Sequence, residues 1–271
     1  MTRIAVVEFP GANCMAETLA ALRAAGAAPE LLRWTAPARA CRDFAGFVIA
    51  GGFSYEDRVR AGVVAAKHPL MDGIAGAAAD GKPVLGVCNG AQILIEAGLV
   101  PGDPPGSVQL ALAQNCARGW RGYICEWVHL RAQPGAGFLR GLDPQAVIPM
   151  PVGHGEGCFT GDPTLFGSLE KRGGIALRYV RADGTPADGF PENPNGSLHG
   201  AAALCDPTGN VVALMPHPER AAWLYQVPDS LPGTWGRARR EAAGDAVRLR
   251  GAGPGLAVYK CLVQASTEGA A

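Results

Sequence analysis

The chain has 271 residues, 48% of them hydrophobic, so it can bury one large core or two small ones. Lys plus Arg and Asp plus Glu number 24 each, a formal net charge of zero, which argues against a nucleic-acid binder that relies on phosphate attraction. No apolar run reaches the roughly 18 residues needed to cross a bilayer, and Glu8 and Pro10 interrupt MTRIAVVEFPGANC too early for a signal peptide. A cytoplasmic protein without nucleic-acid or membrane partners is expected. The eight cysteines are scattered with no C-x-x-C pair, so no metal site is expected, and most should be buried thiols.

In chain order, Arg3 to Val7 is a β-branched run that predicts a buried first strand. Phe9-Pro10-Gly11-Ala12-Asn13 is turn chemistry with Asn13 as the expected N-cap of a helix from Met15 to Ala25, which Gly26 stops. Strands are predicted at Pro29 to Trp34, at Phe44 to Ala50 (ending in Gly51-Gly52) and at Pro83 to Val87. Ala61 to Ala79 suits one or two helices interrupted near Pro69. This alternation argues for an α/β fold with a mainly parallel sheet. Its Gly-rich turns at Gly11, Gly51-Gly52 and Gly86 to Gly90 would then face one crevice at the carboxyl ends of the strands.

The middle third, Leu110 to Leu130 and Ala146 to Val152, reads as an antiparallel continuation of the sheet or a layer beside it. Strands are expected at Gly174 to Val180 and His199 to Cys205, the latter turning at Asp206 to Gly209 into a hairpin with Asn210 to Met215. Asp188 to Leu198 is a loop, 224–253 a surface excursion, and Gly255 to Ala265 a closing helix of a single domain over 1–271.

The chemistry concentrates at Gly86-Val87-Cys88-Asn89-Gly90. A short apolar strand ends there, and a helix with apolar positions at Ile93, Leu94 and Ala97 begins. Glycines two residues either side of a nucleophile-type residue are what a strained strand-to-helix elbow needs, and Cys88 is at its tip. A thiol becomes a nucleophile as thiolate, which a helix N-terminus and a histidine favour. Of five histidines, two have a carboxylate two residues on: His154-Gly155-Glu156 and His217-Pro218-Glu219. His217 is preferred because it ends a strand-like run and Pro218 stiffens its relation to Glu219, whereas glycines leave His154 unrestrained. The Asn89 N–H and one from Gly51-Gly52 could hold an oxyanion, although the glycine pair could equally be only a tight turn. Gln92, one helical turn past Cys88, either faces the site and holds an amide substrate or is a solvent-facing polar residue.

These residues resemble the class I, triad-type glutamine amidotransferases: Gly86-Val87-Cys88-Asn89-Gly90-x-Gln92 with a distant His217-Pro218-Glu219. Phe9-Pro10-Gly11-x-Asn13-Cys14, Gly51-Gly52-Phe53-Ser54-Tyr55-x-Asp57, Arg60-Ala61-Gly62, Asn193-Pro194-Asn195-Gly196-Ser197 and Met215-Pro216-His217-Pro218-Glu219-Arg220 narrow it to the glutaminase branch of phosphoribosylformylglycinamidine synthases. The resemblance implies a flavodoxin-like, mainly parallel sheet flanked by helices, with additional antiparallel strands. It implies Cys88, His217 and Glu219 as the triad, Gly52 and Asn89 as oxyanion donors, and Gln92 near the substrate glutamine. The partner it implies is a separate large synthetase subunit, with a further candidate in a third, small bridging subunit. ATP and magnesium would belong to the synthetase, and no cofactor to this chain, which has no Walker-type loop. The competing readings are other class I glutaminases, a chaperone or peptidase-like member of the fold, and a regulatory subunit without enzymatic activity. Met15, Glu56, Glu126 and Cys158 depart from the branch's usual residues, Glu56 standing where glycine is usual.

Overall fold

A computed structural model describes residues 1–117 and 119–268. Its strands are β1 (Arg3–Glu8), β2 (Ala28–Arg33), β3 (Gly46–Ile49), β4 (Val84–Val87), β5 (Leu110–Ala113), β6 (Cys116–Ala117), β7 (Trp120–Arg121), β8 (Ile124–Ala132), β9 (Ile148–His154), β10 (Cys158–Gly161), β11 (Ile175–Val180), β12 (Ala201–Cys205) and β13 (Val211–Leu214). The helices are α1 (Met15–Ala24), α2 (Val63–Ala66), α3 (Pro69–Ala79), α4 (Asn89–Glu96), α5 (Pro163–Lys171), α6 (Gly233–Glu241), α7 (Ala246–Leu249) and α8 (Leu256–Glu268).

One sheet runs β2-β1-β3-β4-β13-β12-β11-β8-β9. Its first five strands are parallel and the remaining pairings antiparallel, so the predicted α/β architecture stands, with its middle third continuing the same sheet. The other expectation for that region, a layer beside the sheet, also holds in part: β5 and β10 pair with each other outside it. Every residue of β3, β4 and β13 is buried, as are Ile4 to Val7 of β1, which is why these runs are uniformly apolar and not alternating. Helices α1 and α8 pack together and α2 packs on α4. The connection from β1 goes to β2 on one side, while β3 lies on the other side of β1. This reversal of strand order opens a crevice at the carboxyl ends of the parallel strands.

Several boundaries move for physical reasons. The N-cap of α1 is Cys14 and not Asn13: Asn13 N and Cys14 N both donate to Gly51 O, which ties this turn to the end of β3. Strand β12 begins at Ala201, because His199 takes a left-handed turn (φ 53°) and the backbone becomes extended only beyond it. Helix α4 is not amphipathic in use. All eight of its residues are buried, including Glu96, which is paired with Arg60. The 224–253 excursion is folded: Leu224, Val227, Leu231 and Ala242 form a small apolar cluster against Trp127 of β8, with α6 and α7 contributing Trp235, Ala238 and Leu249.

Candidate active site

The elbow follows from β4 and α4. Cys88 lies between them at φ 51°, ψ −105°, a backbone region that a side chain rarely occupies. The two flanking glycines permit it. A Cβ on Gly86 would sit 2.5 Å from Gly90 O, and one on Gly90 would sit 2.0 Å from Ile49 O. Cys88 N donates to Leu214 O of the neighbouring strand at 2.8 Å, which fixes the elbow against β13. The thiol is buried and its Sγ lies 3.7 Å from Gly153 O.

Strand β13 delivers His217 to the same point. After Leu214 the chain turns, His217 N donates to Pro151 O at 2.8 Å, and Pro218–Ala221 forms one short helical turn that carries Glu219. His217 Nδ1 and Glu219 Oε1 are 2.6 Å apart, both side chains are fully buried, and His217 Nε2 makes no hydrogen bond among the described residues. The imidazole lies on Gly51, where a Cβ would be 3.0 Å from Cε1; the glycine is therefore needed for the histidine to approach. Burial alone would lower the His217 pKa, but the Glu219 carboxylate and the sulfurs of Cys88 and Cys14 outweigh it and hold the imidazole well above its ordinary value. Burial raises Glu219, yet the charge and hydrogen bond of His217 bring it below the usual carboxylate value.

Two backbone N–H groups near the elbow are without a backbone acceptor among the described residues. Ala12 and Gly52 form an isolated antiparallel bridge whose hydrogen bonds run from Asn13 N to Gly51 O and from Phe53 N to Gly11 O; neither uses the Gly52 N–H. The Asn89 N–H, first in α4, has no intrahelical acceptor. The Asn89 side chain is committed: Oδ1 accepts from Ser54 N at 3.0 Å, and Nδ2 donates to Gln92 Oε1 at 2.8 Å and Asp57 Oδ1 at 3.2 Å. Gln92 is buried and not solvent-facing. Its Nε2 donates to Glu156 O at 2.7 Å, so its amide braces the elbow against the turn after β9. Burial and the nearby Glu156 raise Asp57 to about 6.

His154 is placed differently from His217. It is buried, its Nδ1 lies 3.1 Å from Asn115 Oδ1, and burial followed by the charge of His217 pushes it down to about 3. Glu156 does not pair with it; its Oε2 instead accepts from Ala61 N at 3.4 Å. Asn115 organises this turn by donating to His154 O at 2.7 Å and accepting from Gly157 N at 3.0 Å. Asn195, from the loop before β12, donates to Gly157 O at 2.8 Å and buttresses it from behind. A cavity of about 280 Å³ opens beside the turn, lined by Gln114, Arg121, Gly122, Tyr123, Gly155 and Glu156.

The departures also have places. Glu56 is left-handed (φ 60°), the conformation that explains why glycine suits this position, and its exposed carboxylate pairs with Arg58. Glu126 points outward from β8, Met15 begins α1, and Cys158 is buried with its thiol pushed up to about 11 by desolvation. Two residues beside His217 and Glu219 were not singled out for chemistry by sequence reasoning. Arg220 Nη2 donates to Cys14 Sγ at 3.2 Å, and Cys14, His217 and Glu219 present ligand atoms within 4.8 Å of one another. That spacing could suit a metal, but the 2.6 Å His217–Glu219 hydrogen bond and the Arg220 guanidinium already engage these atoms. Their sequence signal was membership of the segments Phe9 to Cys14 and Met215 to Arg220, which assigned them no chemical role.

Comparison with known proteins agrees with this geometry. Residues 1–244 match the CobB/CobQ-like glutamine amidotransferase domain. A phosphoribosylformylglycinamidine synthase subunit PurQ of Methanothrix thermoacetophila is 41% identical over 95% of this chain and 95% of its own. That of Thermus thermophilus is 40% identical over 81% of this chain and 89% of its own. Among solved structures, PurLQS from Thermotoga maritima matches with a TM-score of 0.70 and 29% identity over 97% of this chain and 98% of that one. The chain belongs to the glutamine amidotransferase family, in the branch of phosphoribosylformylglycinamidine synthase PurQ subunits.

Proposed function

We propose that Cys88, His217 and Glu219 carry out the glutaminase half-reaction of phosphoribosylformylglycinamidine synthase, the activity of the family to which the chain belongs. The observation that carries this reading is that the strained Cys88 elbow and the buried His217–Glu219 pair, from separate strands, both meet Gly153: Cys88 Sγ is 3.7 Å from its carbonyl, and a Cβ built on it would lie 4.0 Å from His217 Nε2. Cys88 thiolate attacks the carboxamide carbon of glutamine, and the carbonyl oxygen becomes an oxyanion held by the N–H groups of Gly52 and Asn89. His217, protonated and oriented by Glu219, gives a proton from Nε2 to the departing nitrogen. Ammonia leaves, and a γ-glutamyl thioester remains on Cys88. His217 then takes a proton from water as the water attacks the thioester; collapse of the second tetrahedral intermediate releases glutamate and restores the thiolate. The Gly153 to Gly157 turn closes one side of the site, and the cavity beside it offers the Arg121 guanidinium and the Glu156 carboxylate to a zwitterionic amino acid.

The ammonia serves a large synthetase subunit that converts formylglycinamide ribonucleotide to formylglycinamidine ribonucleotide, and ATP and magnesium act there and not on this chain. The match to a chain of PurLQS supports that partner and a third small bridging subunit. A cytoplasmic location accords with such a complex; no helix among the described residues is long and apolar enough to cross a membrane.

The test is Cys88→Ala in the reconstituted complex, with formylglycinamide ribonucleotide and ATP. Glutamine-dependent product formation should fall by at least about a thousandfold, while ammonia-dependent formation persists. Equal loss with ammonia would overturn the assignment of Cys88 to glutamine hydrolysis. A glutamine-analogue electrophile should label Cys88 alone among the eight cysteines.

A further inference from the structure

A second sulfur lies against the triad, and the reaction as derived does not use it. Cys14 is 1% exposed. It occupies the N-cap position of α1, yet its side chain makes no capping hydrogen bond. Its S–H donates to Asn13 Oδ1 at 3.1 Å, and its Sγ accepts from Arg220 Nη2 at 3.2 Å. Across Gly51 it meets the His217 ring: a Cβ built there would lie 3.3 Å from Cys14 Sγ and 3.0 Å from His217 Cε1.

The other end of the arrangement is Glu219. One oxygen, Oε1, bonds His217, while Oε2 is buried with no hydrogen bond among the described residues. Arg220 follows Glu219 in sequence, and its Nε is only 3.9 Å from Oε1. A guanidinium at ion-pair distance from a buried carboxylate with an open acceptor would ordinarily close to a direct hydrogen bond with it. Here its hydrogen bond goes to the Cys14 sulfur, and its Nη1 rests toward Gly153.

We infer that Cys14 is a positioning residue for the triad: by holding the Arg220 guanidinium on its sulfur, it limits Arg220 to a 3.9 Å ion pair with Glu219 and leaves the direct hydrogen bond of that carboxylate to His217. The inference rests on the triad reading above. Its consequence is specific. If Arg220 closes from that ion-pair distance to a direct hydrogen bond on Glu219, the imidazolium of His217 is less well stabilised and gives up its proton at lower pH. The other titratable groups around the pair are Cys88 on the Gly153 side, His154, Tyr123 at the site's rim and Tyr259 of α8 behind Glu219. None of these carries a positive charge that could replace Arg220. His154 is held neutral by burial, and burial keeps both tyrosines protonated.

The experiment measures glutamine-dependent kcat and KM against pH for the whole complex, with ammonia-dependent turnover as the control for folding and assembly. Cys14→Ala should lower kcat about tenfold with KM for glutamine within about twofold, and should move the alkaline limb of kcat/KM down by about one pH unit. Cys14→Ser, which keeps an acceptor, should stay close to the wild type. In the double variant Cys14→Ala with Arg220→Gln, the limb should return toward the wild-type position, because the competing cation is gone. An unmoved limb in Cys14→Ala, or one equally displaced in the double variant, would overturn the inference. Because Cys88→Ala is scored separately, the triad reading survives that outcome. Should Cys14→Ala fail to assemble, Cys14→Val alone and with Arg220→Gln carries the same comparison, and the same two outcomes decide.

Discussion

At the scale of single residues, the two His-x-Glu pairs show how environment divides identical chemistry. His217 has a carboxylate on Nδ1 and stands above its ordinary pKa, whereas His154 has the amide oxygen of Asn115 and is driven down to about 3. The second has a measurable consequence for stability. The unfolded chain takes up a proton on His154 as pH falls through about 6.5, but the folded chain does not until about 3. Stability should therefore be lost progressively between those values, with a slope of at most about 1.4 kcal/mol per pH unit from this group. Urea unfolding of His154→Gln from pH 7 to pH 4 should show a shallower decline than the wild type. Parallel curves would mean that the folded protein protonates His154 readily. Sequence spacing could nominate both histidines, since each has glutamate two positions on. It could not show that Glu156 turns away to Ala61 N, because glycines on both sides leave that direction to the surrounding packing.

At the scale of elements, the elbow was legible because its constraint is local. A strand that must turn sharply into a helix around a strained residue requires small neighbours, and Gly86 and Gly90 declare this in the sequence. The collisions make the claim quantitative. Gly90→Ala places a methyl group 2.0 Å from Ile49 O, against backbone that cannot move without displacing β3, and should cost about 3 kcal/mol or more. Gly76, in the exposed part of α3, has no atom within 4 Å of a built Cβ and no left-handed φ, so Gly76→Ala should stabilise by about 0.5–1 kcal/mol. Chemical denaturation of the two variants checks both signs, and a destabilising Gly76→Ala would show that the space around Gly76 is not open as described. The burial of α4 was less legible. Asn89 and Gln92 read as polar helix positions, and only the apposition of 54–57 on one side and Glu156 on the other explains where their hydrogen bonds go.

At the scale of the whole molecule, the parallel half of the sheet brings the ends of β1, β3, β4 and β13 together, and the antiparallel half supplies the wall from Gly153 to Gly157. The 224–249 segment is attached to β8 through Trp127, which packs on the segment's own small cluster, separate from the main core. Loosening it should therefore be a local event. Leu231→Ala should speed amide exchange across 233–249, at a cost of about 2–3 kcal/mol to that unit, with the central strands still protected. Loss of protection throughout the sheet would show that the cluster belongs to the global fold. The Arg- and Gly-rich composition suggested an excursion on the surface, but its few apolar residues are too widely spaced for periodicity to reveal the cluster they form.

By itself the sequence determined the order of strands and helices up to the elbow, the cysteine at its tip and the His-Pro-Glu segment, because each depends on residues a few positions apart. Tertiary structure buried the carboxylate beside His217, the histidine the sequence favoured, and turned Glu156 away from His154. It also turned Gln92 and Asn115 into braces and set the sulfur of Cys14, 206 positions away in the chain, against Arg220. Those outcomes depend on which groups meet after the sheet has formed, and on how burial strengthens or suppresses a charge once water is excluded.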